Sequence, residues 1–522
     1  MKDWTRREFL QASALTVAGL SAGVSLAACA RGPQGPNVVS ANENKDVVNS
    51  MIDSYFGAKF GISEALMTKA LQLMLASGAQ WSELYFEHTR VLDLSLLDGI
   101  VSRAYSNVDL GVGCRAVIDD QVGYAYSESL DEADVLRAAS LASGIARAAA
   151  GGKTEAAQAV ARHGFLYDPE INWHEVEVSK LVALLQAVEK KAQQADKDVE
   201  KVMVHFGYQQ KNILVAASNG LRAEDSQPRA VLSLSVVLNR NGERQSNQAN
   251  IGIRAGLEYF SEQRIDQLVE DVVARTRILF EARKPRGGEM PVVLGAGASG
   301  ILLHEAIGHG MEADFNRKGQ SIFTTMIGKK VAIPEINIID SGLMPGLNGS
   351  AHIDDEGTPC QETVLVENGI LKSYLHDNLS AKHYGLKSTG SGRRESFRFV
   401  PYPRMRETYM TAGERSLDDL IKDVKYGVYC THFTNGQVDI GAGDYTFYVK
   451  NGYLIEDGKL TAPIKDVNII GNGPDTLSKI TAVSHDFTMH DGAWTCGKNG
   501  QGVPVSVGMP SVLVSSLTVG GE

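Results

Sequence analysis

Residues 290–314 read MPVVLGAGASGILLHEAIGHGMEAD, and the interpretation of the rest of the chain depends on this segment. The apolar run at residues 290–294 is typical of a buried strand. It is followed by two histidines, His304 and His309, and by Glu305 next to the first of them. Two imidazoles and a carboxylate this close together predict a bound divalent metal, with zinc as the expected ion. In that prediction the histidines are ligands and Glu305 is the general base that takes a proton from water.

The spacing of the two histidines requires the backbone between them to depart from an ideal α-helix if both are to bind one ion. His304 and His309 are five residues apart, so on an ideal α-helix their side chains would point about 140° away from each other. Both can reach one ion only if the helix widens or breaks between them. Gly308 is the residue at which a π-bulge or a break is easiest. The alternative is a buried helix that happens to carry two histidines.

The glycines at residues 295–300 offer a second interpretation of the same segment. They fit G-x-G-x-x-G between a predicted strand and a predicted helix, as in a dinucleotide-binding turn. Such a turn would make the protein an oxidoreductase. However, the helix that it would open carries His304 and Glu305 at once, and no second strand ending in an acidic residue follows. We therefore favour close packing of a strand against a helix as the reason for these glycines.

The first part of the chain predicts export. Residues 1–28 contain a twin-arginine pattern at Arg6 and Arg7 and then a weakly apolar run rich in small residues, and this segment is predicted to be a signal. The run ends in Leu-Ala-Ala-Cys, which resembles a bacterial lipobox, so Cys29 is expected to carry lipid. Residues 29–58 are mostly polar and are predicted to be a flexible tether. The protein is thus expected outside the cytoplasm, with a lipid anchor as its only membrane attachment.

Charge and cysteine content exclude other classes of protein. The net charge of −11 becomes −12 when residues 1–28 are removed, because that segment carries three basic and two acidic side chains. An acidic chain without a basic stripe is not expected to bind nucleic acid. The cysteines other than Cys29 show neither a C-x-x-C pair nor the spacing of a disulfide framework.

Periodicity predicts an α+β protein with N-terminal α/β domains followed by a glycine-rich, β-rich C-terminal metal-binding domain. The predicted boundaries are an N-terminal α+β domain at 59–165, a middle α+β domain at 166–288 and the β-rich metal-binding domain at 289–522. Helices are predicted at 62–76, 129–149, 179–195 and 265–282. Strands are predicted at 83–88, 91–97, 110–118, 122–127, 202–208, 213–217, 230–238 and 251–255.

The loop at residues 391–396 carries two adjacent guanidinium groups, Arg393 and Arg394. Paired guanidinium groups can hold a carboxylate or a carbonyl oxygen through forked hydrogen bonds. We therefore predict that both arginines bind substrate, and a solvated loop is the alternative.

Six strings in the C-terminal half carry a family resemblance. In chain order they are HEAIGHGMEAD, DDEGTPCQ, GSGRRESFRFVPYPRM, NGQVD, IGNGP and CGKNGQ. The chain resembles the TldD/PmbA (TldE) family of zinc metallopeptidases, on the TldD side because H-E-x-x-x-H is present. The resemblance implies zinc bound by His304, His309 and Cys496, with Glu305 as base and short or unfolded peptides as substrates. It also implies a dimer, either with a PmbA/TldE-like sister subunit or with itself.

Two alternatives stay open at this point. Without the resemblance Cys496 would be an ordinary buried thiol, and Glu312, three residues after His309, is the nearby rival for the third ligand position. Glu312 could instead orient a ligand histidine by hydrogen bonding to its ring. The protein as a whole could also be a non-catalytic metal-containing subunit or a peptide-binding module of a dimeric complex.

Overall fold

A computed structural model of the chain describes residues 45–48, 54–144, 154–156, 158, 160–163, 166–167 and 169–521. This part of the chain has the predicted α+β class. Its α-helices are Tyr55–Phe60, Glu64–Ala76, Glu132–Ser143, Val178–Ala195, Glu262–Arg277, Gly300–Leu303, Ala313–Arg317, Asn378–Tyr384, Leu417–Lys422 and Gly473–Lys479. A π-helical turn spans His304–Gly308, and short 3-10 helices span Trp173–Glu175, Leu257–Tyr259, Ile278–Phe280 and His309–Met311.

The strands of the N-terminal half are β1 (Lys45–Val48), β2 (Trp81–Leu97), β3 (Ile100–Ile118), β4 (Gln121–Ser127), β5 (Val160–His163), β6 (Val199–Ala217), β7 (Arg222–Arg240) and β8 (Glu243–Ile253). The strands of the C-terminal half are β9 (Gly288–Leu294), β10 (Ile338–Ser341), β11 (Thr363–Glu367), β12 (Ile370–Leu371), β13 (Gly392–Arg393), β14 (Tyr402–Pro403), β15 (Glu407–Met410), β16 (Tyr426–Val438), β17 (Asp444–Glu456), β18 (Lys459–Ile464), β19 (Val467–Asn472), β20 (Ile480–Val483), β21 (Thr488–Lys498), β22 (Gln501–Met509) and β23 (Val512–Gly520).

The first two predicted domains share one sheet. Its strand order is β1-β5-β7-β6-β2-β3-β4, and β8 pairs with β7. Strand β2, predicted within 59–165, pairs with β6, predicted within 166–288, over fifteen consecutive residues from Glu83 to Leu97. Several predicted pairs of short strands are single long strands, because antiparallel hairpins continue through their polar positions. The sheet therefore joins both regions into one layer.

The C-terminal half contains two larger sheets and a two-stranded ribbon, β13-β14. One sheet has the order β12-β11-β10-β15-β22-β21, and the other has the order β16-β9-β23-β19-β17-β18 with β20 paired to β23. The helical segment that follows β9 packs against β15 and β22 on one side and against β16 and β17 on the other. Its apolar residues Leu303 and Ile307 are buried in the shared core. The histidine segment is thus held between two sheets.

The predicted tether ends earlier than residue 58. The helix Tyr55–Phe60 begins inside the predicted range of 29–58, and the Ser54 side chain accepts a hydrogen bond from the Gly57 N–H at its start. Phe56 is fully buried in the N-terminal core because it packs with the helix Glu64–Ala76. The predicted signal at residues 1–28 and the predicted lipidation site at Cys29 lie outside the described residues. Within the described residues, no helix combines the length and the apolar character that a membrane crossing requires.

Candidate metal centre

The helix that carries the two histidines changes its winding between them. It is α-helical at Gly300–Leu303, π-helical at His304–Gly308 and 3-10 helical at His309–Met311. The N–H of His309 donates to the carbonyl of His304, which is the five-residue hydrogen bond of a π-turn. Two residues joined by this hydrogen bond lie above one another along the helix axis. The centroids of the His304 and His309 imidazole rings are accordingly 5.1 Å apart. The predicted widening of the helix is confirmed.

Close packing explains why glycine is needed in this turn. A Cβ on Gly308 would lie 2.0 Å from the Sδ of Met405, which is itself fully buried. Non-bonded carbon and sulfur atoms cannot come this close, so a side chain at this position would force either the Met405 side chain or the turn to shift within the packed core. Gly308 therefore serves the close approach of the helix as well as its widening.

The glycines before the helix also serve packing. A Cβ on Gly300 would lie 2.7 Å from the backbone nitrogen of Gly508 in β22, and Gly297 has a φ of +77°. The preceding strand, β9, has one parallel neighbour, β16, and one antiparallel neighbour, β23. A dinucleotide-binding turn belongs to a parallel sheet. This arrangement favours the interpretation of residues 295–300 as a packing segment.

Cys496 joins the two histidines from a distant part of the chain. One donor atom from each of His304, His309 and Cys496 lies within 4.8 Å of the other two, and all three residues are buried. The Sγ of Cys496 is 3.4 Å from the Nε2 of His309. The cysteine lies on strand β21, at the edge of its sheet.

The donor set fits a metal ion. Both ring nitrogens of His304 are buried and have no hydrogen-bond partner in the part of the chain that the structure describes. A buried imidazole without a partner is costly, and a ligand bond to a metal would satisfy one of its nitrogens. Two imidazoles and a thiolate are a usual set of protein ligands for zinc. Three protein ligands also leave a fourth position for water or substrate.

The cysteine is electrostatically prepared to act as a thiolate. Burial alone would raise the pKa of Cys496, but the neighbouring imidazoles of His309 and His304 lower that pKa well below the usual thiol value. Only the thiolate is a good metal ligand. The same histidines that would share the ion with Cys496 therefore favour its ligating form.

Glu312 lies behind His309 and not among the three clustered donors. Its Oε2 is 3.0 Å from the Nδ1 of His309 and 3.0 Å from the Nζ of Lys498. Burial would raise the pKa of Glu312, but Lys498 and then His309 lower it to about 2. An ionised carboxylate on Nδ1 fixes the ring so that Nε2 faces the metal position. This geometry matches the orienting role that was one of the two alternatives for Glu312.

Two cations that the sequence analysis did not single out complete the surroundings of Glu312. The Nζ of Lys498 also donates to Asp314 at 2.7 Å and to the carbonyl of Pro403 at 3.1 Å. The guanidinium of Arg404 is fully buried, lies 4.0 Å from Glu312 and donates to the carbonyl of Cys496. Arg404 thereby links the orienting carboxylate to the strand of the third ligand. In the sequence, Arg404 lies in the string PYPRM and Lys498 lies in the string CGKNGQ, and these positions were the signal that could have indicated a role for them.

Glu305 is the member of the group that reaches solvent. Its side chain is 19% exposed, against 3% for His309, and its Oε2 is 3.7 Å from the Nε2 of His309. A general base has to reach the proton that it takes. A carboxylate beside the clustered donors and open to solvent is suited to that task.

Arg393 and Arg394 are both buried, and their guanidinium groups contact other parts of the protein. Arg394 forms a buried ion pair with Glu83 of β2 and stacks over the Tyr85 ring at 4.3 Å. Arg393 donates to the carbonyls of Met405 at 2.6 Å and Pro504 at 2.7 Å. Arg394 therefore joins the N-terminal sheet to the C-terminal half, and neither arginine was predicted to have these contacts. Their predicted role in binding substrate stays a prediction.

Comparisons with known proteins identify three matching domain descriptions along the chain. They are PmbA/TldA metallopeptidase domain 1 at residues 82–150, the central domain at 171–280 and the C-terminal domain at 287–521. Together they cover most of the chain.

Similar proteins have been named as metalloproteases. A "Metalloprotease TldD homolog" of Haemophilus influenzae is 37% identical over 470 residues, which are 88% of this chain and 97% of that protein. A "Zinc metalloprotease TldD homolog" of Saccharolobus solfataricus is 36% identical over 258 residues, or 49% of this chain and 57% of that protein. The solved structure of TldE from Thermococcus kodakarensis superposes with a TM-score of 0.69 at 20% identity, covering 87% of this chain and 100% of that chain. The last comparison shows a shared fold.

Proposed function

The chain belongs to the PmbA/TldA metallopeptidase family, and on that premise we propose that it is a zinc-dependent peptidase acting on short or unfolded peptides. The observation that carries the proposal is the buried cluster of His304, His309 and Cys496 with the partly exposed carboxylate of Glu305 beside it. A purely structural metal site would have no use for an exposed carboxylate at that position. The relative named as a zinc metalloprotease supports zinc as the ion.

The proposed mechanism assigns one task to each residue around the centre. Bound zinc would supply Lewis acidity, polarising the scissile carbonyl and making water a better nucleophile near neutral pH. His304, His309 and Cys496 would hold the ion. Glu305 would accept the proton of the attacking water and return it to the leaving amine.

The residues behind the ligands would keep the centre rigid. Glu312 holds the His309 ring from behind, and Lys498 neutralises that carboxylate in the buried space. Arg404 and Asn348 donate to the carbonyls of Cys496 and Trp494, so the edge strand β21 is fixed at the third ligand. Preorganised ligands of this kind do not need to rearrange during the reaction.

Glu305→Gln tests the proposal. The amide keeps the size of the side chain but cannot take a proton at neutral pH, so peptide hydrolysis should fall by at least about 100-fold. Zinc content should stay at the wild-type level because the three ligands are unchanged. Zinc analysis and cleavage of an unstructured peptide by both proteins provide the two readings. Wild-type turnover in the variant would assign the base elsewhere, and loss of zinc would make Glu305 a ligand.

A non-catalytic subunit is the second candidate function. The fold of TldE from Thermococcus kodakarensis is similar to this one, so a pairing with a TldE-like sister subunit, or with a second copy, is part of our proposal. The β2–β3 hairpin carries exposed apolar side chains, among them Ile100 and Val108, on which a partner could pack. Light scattering of the protein, alone and co-expressed with a sister subunit, gives the mass of the assembly. Peptide cleavage that appears only in one of those states separates the two candidates.

We also propose export by a twin-arginine route and anchoring through lipid on Cys29. The support is the order of the motifs at residues 6–7 and 26–29. Cys29→Ser should release the protein from the membrane fraction. Unchanged membrane association of that variant, in cells without a membrane-bound partner, would exclude the anchor.

A further inference from the structure

A cavity lined by arginines lies on the reverse side of the strand that carries Cys496. We call it the arginine cavity; its volume is about 140 Å³, and it is lined by Gln209, Lys211, Gln227, Arg229, Arg254, Ile353, Asp355, Arg393, Arg394, Glu395, Arg406, Thr495, Gly502, Val503 and Pro504. Thr495 is exposed and Cys496 is buried. Because successive side chains of a strand point to opposite faces, Thr495 lines the cavity from the face of β21 opposite to Cys496.

The lining of the cavity is strongly cationic. It contains six cationic side chains and two acidic ones, Asp355 and the exposed Glu395 at the rim. Two of the cations are paired behind the cavity wall, since Arg394 contacts Glu83 and Lys211 lies 3.6 Å from Glu87. The carboxylate of Asp355 accepts from the Tyr85 hydroxyl and from the Arg394 backbone N–H.

Three of the remaining arginines have no carboxylate partner. Arg229, Arg254 and Arg393 form no ion pair within 4.0 Å in the described part of the chain, and their hydrogen bonds go to neutral acceptors. Arg229 donates to the side chain of Asn348, and Arg254 donates to the Asn348 carbonyl and to Gln227. Arg393 donates to two backbone carbonyls. A guanidinium has five N–H groups, so donors are left over on each side chain.

Burial and mutual repulsion make this arrangement costly. Burial and the charge of Arg406 lower the pKa of Arg393 to about 9, and burial and the charge of Arg254 lower the pKa of Arg229 to about 10. Burial also lowers the pKa of Arg254. In contrast, Arg406 lies among acidic groups, and its pKa is raised. An anion in the cavity would relieve the three unpaired guanidinium groups and use their free donors.

We propose that the arginine cavity is a binding site for a small oxyanion, a carboxylate or a phosphate group, held by Arg229, Arg254 and Arg393. The exposed side chains of Thr495 and Glu395 at its rim leave a path from solvent. The site is separate from the proposed peptidase centre and does not depend on its activity.

Thermal unfolding and calorimetry of the zinc-loaded protein test the proposal, with inorganic phosphate and succinate as probes and chloride at equal ionic strength as the reference. A ligand that binds only the folded protein raises the unfolding temperature in a saturable way. Saturation by phosphate assigns a phosphate group to the site, and saturation by succinate assigns a carboxylate. No effect of either probe beyond that of chloride would overturn the proposal.

Arg229→Met and Arg254→Gln identify the place of binding. Each should weaken the affinity for the active probe by at least about tenfold, since each removes a charge-assisted contact. Arg229→Met should also be as stable as the wild type, or more stable, without the probe, because a repulsion is removed. Arg240→Met is the matched control, because Arg240 is on the same strand β7 but is paired with Asp198. Full affinity in both cavity variants, or a loss in the control equal to theirs, would show that the anion binds elsewhere.

Discussion

The Nδ1 of His309 lies 3.0 Å from the Oε2 of Glu312, and this contact turns the opposite nitrogen of the ring toward the Sγ of Cys496. A buried carboxylate thus sets the orientation of a ligand that is three residues before it. The relationship explains why a glutamate so close to two histidines need not bind the metal itself.

Glu312→Gln should weaken zinc binding by about 10- to 100-fold, because the amide holds the His309 ring less firmly. Cys496→Ser should lose more affinity, because it removes a ligand. Competition with a chelator of known zinc affinity measures both changes, and Glu305→Gln is the control that should keep full affinity. A larger loss in Glu312→Gln than in Cys496→Ser would reverse the roles of the two residues.

Gly308→Ala should destabilise the protein by about 1–3 kcal/mol, because the new methyl group would overlap the Sδ of Met405. Gly497→Ala is the matched control, since a Cβ there meets no atom within 4 Å and the residue lies next to Cys496. Denaturant unfolding measures both free energies. Adding Met405→Ala should remove much of the extra cost of Gly308→Ala, and strictly additive effects would contradict the packing explanation.

Arg394→Met should lower the free energy of unfolding by about 3–5 kcal/mol, because it leaves the buried carboxylate of Glu83 with less compensation. Arg398→Met should cost about 1 kcal/mol or less, since Arg398 pairs with Asp109 and Glu128 near the surface. Wild-type stability of Arg394→Met together with a raised KM for peptides would instead support the substrate role predicted from the sequence.

The stability of the protein should decrease as pH rises from about 5 to 8, and Glu356 should contribute to that slope. Burial raises the pKa of Glu356 to about 8, against opposition from Arg115. Between the unfolded and folded pKa values the folded state binds the extra proton, so folding is favoured at the lower pH. Glu356→Gln should flatten the slope, because the amide does not titrate, although its single oxygen can accept from only one of the two donors, Arg115 and the Asn378 N–H. An unchanged slope in unfolding curves from pH 5 to 8 would exclude this contribution.

The widened helix was predictable because its cause is local. The prediction needed only the five-residue separation of His304 and His309 and the glycine between them. The π-turn confirms it. The contacts of Lys498 and Arg404 with Glu312 were not predicted, because they depend on where Glu312 lies in space. No spacing along the chain indicates a contact across 186 residues.

The long strands show a second limit of sequence patterns. Residues 83–88 and 91–97 were predicted as two strands, but β2 is continuous through Thr89, which is a buried polar residue, and Arg90. Glu87 beside them accepts a hydrogen bond from the backbone N–H of Phe397. When the distant partners of polar residues in a strand are unknown, the pattern indicates that these residues are exposed to solvent. The same limit applies to Arg394, whose partner Glu83 is 311 residues away.

X-ray absorption at the zinc edge of the loaded protein identifies the atoms that bind the ion. A centre formed by His304, His309 and Cys496 should show one sulfur at about 2.3 Å together with imidazole nitrogens at about 2.0–2.1 Å. In Cys496→Ser the sulfur shell should disappear, while Cys430→Ser, which changes a buried cysteine outside the donor cluster, should keep it. A wild-type spectrum with no sulfur shell, or a sulfur shell that persists in Cys496→Ser, would contradict the proposed centre.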